Sequence, residues 1–280
     1  MFQIFKKGGR EGSVRRIKRF WLEFQTLVFP CQCLKCRAYI KCDRLDSLSA
    51  CFCDTCFPSD PLGFKPPFCP RCGHLFEQIP ESISGVTSDR ENGKNHLCET
   101  CLLTPPPVNH VRAAFQYQGI IREAIPLFKY QSKLSLARVF ECFLFDAFER
   151  FFGSSSIDRI LPIPLHPQKM KQRGFNQSFL LIRNFKKKYT SIYKRNPSWQ
   201  IDTATLMRVK PTRPQTGFDI QQRRNNLRGA FCTPKNAAIA GKNILLVDDV
   251  YTTGATCGAA ADVLLKSGAN QVDALVLARA

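Results

Sequence analysis

The sequence predicts an α/β fold, a parallel sheet with helices on both faces, preceded by a small cysteine-rich module. Two observations predict it. Toward the C-terminus an apolar run of strand length, Ile244-Leu245-Leu246-Val247, ends in Asp248 and Asp249, then passes through a turn of hydroxyl residues and glycine into an alanine-rich helical segment. A strand that is apolar on both faces belongs inside a parallel sheet, with helices as crossovers. Toward the N-terminus, four Cys-x-x-Cys pairs crowd into residues 33–101. A chain of 280 residues accommodates one good-sized core and a smaller module. We therefore divide it into a basic arm at residues 1–26, a cysteine module at residues 27–107 and the sheet domain at residues 108–280.

The arm is basic, as is the whole chain: 41 Lys and Arg against 22 Asp and Glu give a formal charge of +19. Such an excess points to polyanionic partners, either phosphorylated small molecules or nucleic acid. The most apolar early stretch, residues 20–29, is interrupted by Glu23 and Gln25, so it reads neither as a membrane span nor as a signal peptide. A cytoplasmic location without membrane insertion is expected.

In the module, the pairs are Cys33 with Cys36, Cys53 with Cys56, Cys69 with Cys72, and Cys98 with Cys101. Two residues between thiolates let both sulfurs face one cation, and two such knuckles complete a tetrahedral S4 shell suited to zinc. Two structural zinc ions in a double zinc ribbon are expected, with residues 82–95 as an exposed loop in the second half. The pairing stays open between sequential and interleaved, and Cys31, Cys42, Cys51, His74 or His96 could replace a ligand. Cys31-x-Cys33-x-x-Cys36 recurs as Cys51-x-Cys53-x-x-Cys56, which leaves an iron–sulfur cluster as the alternative. Cys142, Cys232 and Cys257 lie outside the module and read as small buried hydrophobes.

The sheet domain opens with a strand at residues 111–117, and Gly119 turns the chain toward a helix beginning near Ile120. Lys129, near that helix's end, can reach an anion in a cleft or simply lie in solvent. Residues 133–152 form a helix whose broad apolar face includes Phe140, Leu144 and Phe148, and that face is core. Ser154-Ser155-Ser156 breaks it, and residues 159–163 read as the next strand, stopped by prolines. His166, between Pro164-Leu165 and Pro167, is either an acid or anion donor, or a turn residue. Arg173-Gly174-Phe175-Asn176-Gln177 opens a helix expected to run through Tyr189. Residues 213–228, rich in Gln, Arg and Asn, read as a basic loop.

The strand and turn that follow carry the chemistry. A strand at residues 244–247 delivers Asp248 and Asp249 to the carboxyl edge of the sheet, where open α/β folds place ligands. Adjacent carboxylates there can accept hydrogen bonds from two vicinal ribose hydroxyls. Thr252, Thr253, Gly254, Ala255 and Thr256 then offer amides, hydroxyls and close backbone approach at a helix N-terminus, a cup for a monophosphate. The plainer alternative is that Asp249 or Thr252 only caps the helix.

This element resembles the 5-phosphoribosyl 1-diphosphate (PRPP) motif of type I phosphoribosyltransferases. Further segments narrow the resemblance to the ComF family: Phe29-Pro30, Leu127-Phe128-Lys129-Tyr130, the run from Leu161 to Pro167, Arg173 to Gln177, Pro214-Gln215-Thr216-Gly217, the run from Arg223 to Phe231, and Ala278-Arg279. The likeness covers nearly everything after residue 26, apart from residues 190–200. It implies a phosphoribosyltransferase-like sheet, with the loop Pro164, Leu165 and His166 toward the diphosphate, Lys129 and Arg173 as phosphate contacts, and residues 213–228 as a hood that brings Gln215 and Arg223 over PRPP. Phe218-Asp219 and Gln222 depart from the family's pattern in that hood. The implied activity is displacement of diphosphate from PRPP with Mg²⁺, Asp248 and Asp249 being the catalytic pair, and no residue identifies the acceptor. The resemblance also implies a role in natural transformation, with single-stranded DNA and other competence proteins as partners and, as the alternative to catalysis, PRPP as a regulatory ligand. For DNA, residues 6–19 and Lys186-Lys187-Lys188 would supply charge, and Phe185, Tyr189, Tyr193 and Trp199 stacking faces.

Overall fold

A computed structural model describes residues 31–40, 47–57, 63–76, 95–130, 133–211, 222 and 226–280. Its contacts divide the chain into two compact units, Met1–Asp60 and Pro61–Ala280. The boundary expected between residues 107 and 108 falls within the second unit, which therefore includes one of the two cysteine groups. In the first unit, tight turns build the knuckles. Cys33 N–H donates to Ala38 O at 2.8 Å, Phe57 N–H donates to Cys53 O at 2.8 Å, and Leu34 N–H reaches Cys51 O at 2.8 Å. Between the knuckles lies a 3-10 turn, Leu48–Ala50, capped by Ser47.

The second unit holds a five-stranded sheet of β1 (Val111–Gln116), β2 (Arg159–Pro162), β3 (Gln200–Ile201), β6 (Asn243–Tyr251) and β7 (Gln271–Arg279), in the order β1-β7-β6-β2-β3. Every neighbouring pair is parallel. A separate antiparallel ribbon joins β4 (Met207–Arg208) to β5 (Phe231–Cys232). Among the described residues the helices are α1 (Glu99–Leu103), α2 (Gly119–Tyr130), α3 (Ser135–Phe152), α4 (Pro167–Arg173), α5 (Gln177–Leu180), α6 (Phe185–Tyr193) and α7 (Ala255–Lys266). Successive strand residues point to opposite faces. Ile244, Leu246, Ala274 and Val276 share one core cluster with Cys257, Ala260, Ala261 and Leu264 of α7. The alternating residues Leu245, Val247, Leu275 and Leu277 are equally buried. On that other side α3 packs on β1 and β7, and an aromatic cluster joins Phe128 to Phe140 and Phe145 and Phe148 to Phe185.

The α/β class with a parallel sheet is as the sequence predicts, and two elements differ. The helix expected from Arg173 through Tyr189 is three pieces. Pro167 starts α4 at its first turn, and Gly174 ends it in the left-handed conformation (φ 80°), which glycine adopts without steric cost. Asn176 then restarts the chain as the N-cap of α5, and Asn184 precedes α6. The strand expected at residues 244–247 continues to Tyr251, because β7 is equally long and pairs Val250 with Ala278 and Tyr251 with Arg279.

Candidate functional site

The strand lengths create the site. β2 ends where Pro162 faces Val247, its last contact being Ile163 N–H to Val247 O at 2.8 Å. On the other side β7 still accompanies β6, with Asp248 opposite Val276. Asp248 and Asp249 thus lie past the end of one neighbour and alongside the other, a notch at the carboxyl edge. Both are buried, at 8% and 4% exposure, so their charges must be met by specific groups.

Asp248 Oδ1 accepts from Ser178 Oγ at 3.1 Å and from the Asp249 amide at 2.9 Å. Burial, with the neighbouring Asp249 carboxylate, raises its pKa to about 7, against the opposing pull of Lys129 and the two donors. Lys129 Nζ lies 2.6 Å from Asp249 Oδ1. Burial depresses the Lys129 ammonium, but the Asp249 charge and hydrogen bond outweigh it and hold the pKa above its ordinary value. Asp249 Oδ2 is buried and has no hydrogen-bond partner among the described residues.

Asn176 explains how Ser178 comes to be there. Its Oδ1 accepts from the amides of Ser178 and Phe179 at 2.9 and 3.4 Å, and its Nδ2 donates to Ile163 O at 3.1 Å. One side chain therefore caps α5 and ties that helix to the end of β2. His166 performs a similar task for α4, its Nδ1 accepting from the Gln168 amide at 3.3 Å, which is the role of a turn residue. Pro164 and Leu165 precede it in the same half-buried loop after β2.

Cations gather on and around α4. Arg173 donates to Gln177 Oε1 at 2.6 Å and lies 5.1 Å from the centre of the Tyr130 ring. Lys169 has a lowered pKa, first from burial and then from the charges of Arg208 and Arg173. Arg208 is lowered by burial and supported by Asp248, and its guanidinium lies 5.3 Å from the Phe231 ring centre. Ser178, which donates to Asp248, and Arg208, whose charge Asp248 supports, are members of the candidate site that sequence reasoning missed. Only Ser178, next to the Arg173 to Gln177 motif, stood near a usable signal.

The loop after β6 meets α7 at Gly254, whose φ of 76° makes it a left-handed N-cap. A Cβ there would lie 2.2 Å from the Tyr251 hydroxyl, so both backbone and space require glycine. The Thr253 hydroxyl oxygen is buried without a hydrogen-bond partner among the described residues. Beside this loop opens a groove of about 470 Å³ lined by Tyr251, Thr253, Gly254, Ala255 and Arg228 among others. Gln215 and Arg223 lie outside the described residues, as do the arm at residues 6–19 and Phe218-Asp219.

The eight predicted cysteines form two groups, Cys33, Cys36, Cys53 and Cys56, and Cys69, Cys72, Cys98 and Cys101, each with sulfurs within 4.8 Å of one another. The pairing is sequential, and His74 and His96 belong to neither group. A tetrahedral zinc with bonds of about 2.3 Å separates its sulfurs by roughly 3.8 Å, so both groups fit a zinc ion. Burial raises the Cys33 thiol, but the amides of Cys36, Cys53 and Lys35 prevail and bring it down to about 6. Cys69 falls to about 7 in the same way, through the amides of Cys98, Cys72 and Arg71. Outside the groups, Cys257 is a buried hydrophobe as expected. Cys142 and Cys232 are not buried: Cys142 Sγ lies 2.8 Å from Lys188 Nζ at a half-open surface.

The stacking faces expected for DNA are corrected in part. Phe185 is fully buried and Trp199 is 6% exposed, because both pack on Phe148 of α3. Tyr189 and Tyr193 lean on each other, ring centres 4.5 Å apart, and the Tyr193 hydroxyl bonds Glu149. Lys186 and Lys187 are exposed. Among the described residues no helix is long and apolar enough to cross a membrane.

No protein-family model matches the chain. It is 29% identical over 215 residues to the DNA utilization protein YhgH of Escherichia coli (strain K12), covering 75% of this chain and 83% of that protein. To competence protein F of Haemophilus influenzae it is 29% identical over 220 residues, 76% of this chain and 85% of the relative. To competence protein ComFC of Bacillus subtilis it is 26% identical over 200 residues, 71% and 72%. These relatives bear out the resemblance to the ComF family read from the motifs, and the two four-cysteine groups fit the expected double zinc ribbon.

Proposed function

We propose that this chain binds PRPP at the notch formed by Asp248, Asp249 and residues 252–256, and acts as a cytoplasmic phosphoribosyltransferase-like protein in DNA uptake. The names of the relatives, competence protein and DNA utilization protein, support the role in DNA uptake. The observation that carries the ligand assignment is a pair of buried polar atoms, Asp249 Oδ2 and Thr253 Oγ1, that find no hydrogen-bond partner among the described residues. Each such atom costs on the order of 1–3 kcal/mol while unsatisfied. They lie on either side of the β6 terminus, and a pentose phosphate would satisfy both, with a ring hydroxyl donating to Asp249 and a phosphate oxygen accepting from Thr253.

In this reading the amides of residues 252–256 and the positive end of α7 hold the 5-phosphate. Asp248 and Asp249 orient the ribose ring, and the Asp249 charge, balanced by Lys129 at rest, favours the positive ring that develops as diphosphate departs. Lys129, Arg173, Lys169 and Arg208 receive the leaving diphosphate, with Gln215 and Arg223 joining from the hood. Mg²⁺ accompanying PRPP supplies charge neutralisation on the diphosphate.

Calorimetric titration with PRPP tests the site. Asp249→Asn, which keeps shape and removes charge, is expected to weaken binding by roughly tenfold or more, since a charged hydrogen bond contributes about 1.5–3 kcal/mol. Unchanged affinity would sink the assignment. Diphosphate release from PRPP, in the presence of cell extract to supply an acceptor, separates catalysis from the second reading, a DNA-binding factor that uses PRPP as a regulatory ligand. That second reading is favoured by the excess of 41 basic over 22 acidic residues.

A further inference from the structure

The second cysteine group and the pentose-phosphate loop are joined by one side chain. Three consecutive carbonyls of the Cys69 to Cys72 knuckle are taken up by the sheet. Pro70 O accepts from Arg112 Nη1 at 2.8 Å, Arg71 O from the Val111 amide at 2.7 Å, and Cys72 O from Arg279 Nε at 3.2 Å. The knuckle is thereby seated on the first residues of β1 and the last residue of β7. Gly73, at φ 66°, packs so closely that a Cβ would come within 2.8 Å of Val111 O.

Arg279 reaches in two directions. While Nε holds Cys72 O, Nη1 donates to Tyr251 O at 3.4 Å, and the guanidinium lies 5.2 Å from the centre of the Tyr251 ring. Its backbone is fixed from both sides, opposite Tyr251 on β6 and Gln116 on β1, and Tyr117 N–H donates to Arg279 O at 2.8 Å. Tyr251 is 4% exposed, and its hydroxyl abuts Gly254, the N-cap of α7. A displaced tyrosine ring would therefore leave the turn that presents residues 252–256 without support on its inner side. The order of contact is Cys72 carbonyl, Arg279 guanidinium, Tyr251 ring, Gly254.

We propose that Arg279 is a positioning residue, which locks the phosphate-binding loop in shape by clamping Tyr251 against the metal knuckle. The second four-cysteine group thus serves the ligand site as well as the fold. The ligand part of this inference rests on the reading of residues 248–256 given above; the mechanical part does not. Arginine suits the task because a rigid planar fork can bond two carbonyls and cover an aromatic face at once, which a lysine cannot.

The test pairs ligand affinity with amide hydrogen exchange in the full chain. Arg279→Met is expected to speed exchange at residues 252–256 and to weaken ribose 5-phosphate by roughly tenfold, while inorganic diphosphate, which the proposed reading places on the cations away from that loop, binds as before. Arg279→Lys should recover part of the loss. Cys98→Ser, which removes a ligand from the second group, should reproduce the faster exchange at residues 252–256; if that variant does not fold, Arg279→Met carries the test alone. Unaltered exchange at the loop in Arg279→Met would overturn the proposal. So would equal weakening of both ligands with faster exchange across the whole sheet, because that is general destabilisation. If the unsubstituted protein takes up neither compound, the PRPP reading fails, and the exchange comparison still decides the mechanical link.

Discussion

Asp248 keeps its proton to a pH at which an exposed aspartate has long lost it, and that has a consequence for stability. An acid whose native pKa, here about 7, exceeds its ordinary value of 3.8 binds more protons folded than unfolded between those values. Stability from this group is therefore fully present below about pH 4 and is lost as pH rises through about 7. The cause is burial first and the adjacent Asp249 second, with Ser178 and the Asp249 amide opposing. Asp248→Asn retains an acceptor for Ser178 and removes the ionisation. Thermal unfolding followed from pH 4 to 8 should give a variant about as stable as the parent at the acid end and more stable at the alkaline end. The gap should open progressively as pH rises between about 4 and 7. A variant that loses stability equally at all pH values would contradict this account. The cost of holding two carboxylates at one buried notch is what makes the position a candidate site, since nothing in the packing of β6 calls for them.

At the scale of elements, the legible part of the fold is the part encoded locally. β6 and α7 stand out because an apolar run, two acids and a glycine turn are contiguous, and the cysteine knuckles because their spacing alone lets two sulfurs face one ion. β3, β4 and β5, two residues each, have no local pattern and exist only through their partners. The site divides the same way. Asp248, Asp249 and the threonine loop can be read, whereas Ser178 and Arg208 come to Asp248 from α5 and β4 through tertiary packing. The helix breaks after Arg173 escape a reading by pattern, because Gly174 and Asn176 can each sit inside a helix, while here one ends a helix and the other begins the next. Asn176 is accordingly the best place to test the element. Asn176→Ala removes the cap of α5 and the tether to Ile163 O, and should cost about 1–2 kcal/mol in denaturant unfolding. On the proposed PRPP reading it should also weaken that ligand, because Ser178 loses its fixed place beside Asp248. Asn176→Asp keeps the cap but not the tether, so it should retain most of the stability. If Asn176→Ala leaves both stability and binding untouched, the role given to this side chain is wrong.

At the scale of the whole molecule, the excess of positive charge must be reconciled with the burial of Phe185 and Trp199. Proteins that hold single strands without sequence preference combine a basic track with exposed aromatic platforms. Here two of the four aromatic residues considered are core, while Lys186 and Lys187 are exposed. Binding to single-stranded DNA would then draw chiefly on phosphate neutralisation and release of counterions, with little contribution from stacking. Its logarithmic affinity should fall linearly with the logarithm of salt, by about 0.7 for each phosphate neutralised, so that about five contacts lose roughly a hundredfold between about 50 and 200 mM salt. The base sequence of the strand should matter little. Lys186→Glu with Lys187→Glu should flatten that slope, while Tyr189→Ala should leave it unchanged, because an aromatic face releases no counterions. Asp249→Asn should leave DNA affinity intact if the track and the notch at Asp248 and Asp249 are separate surfaces. Fluorescence anisotropy of a labelled oligonucleotide across a salt series measures all of these at once. Binding that is insensitive to salt and strongly dependent on base identity would mean that recognition runs through base contacts, and the charge of +19 would then be a property of the solvated surface.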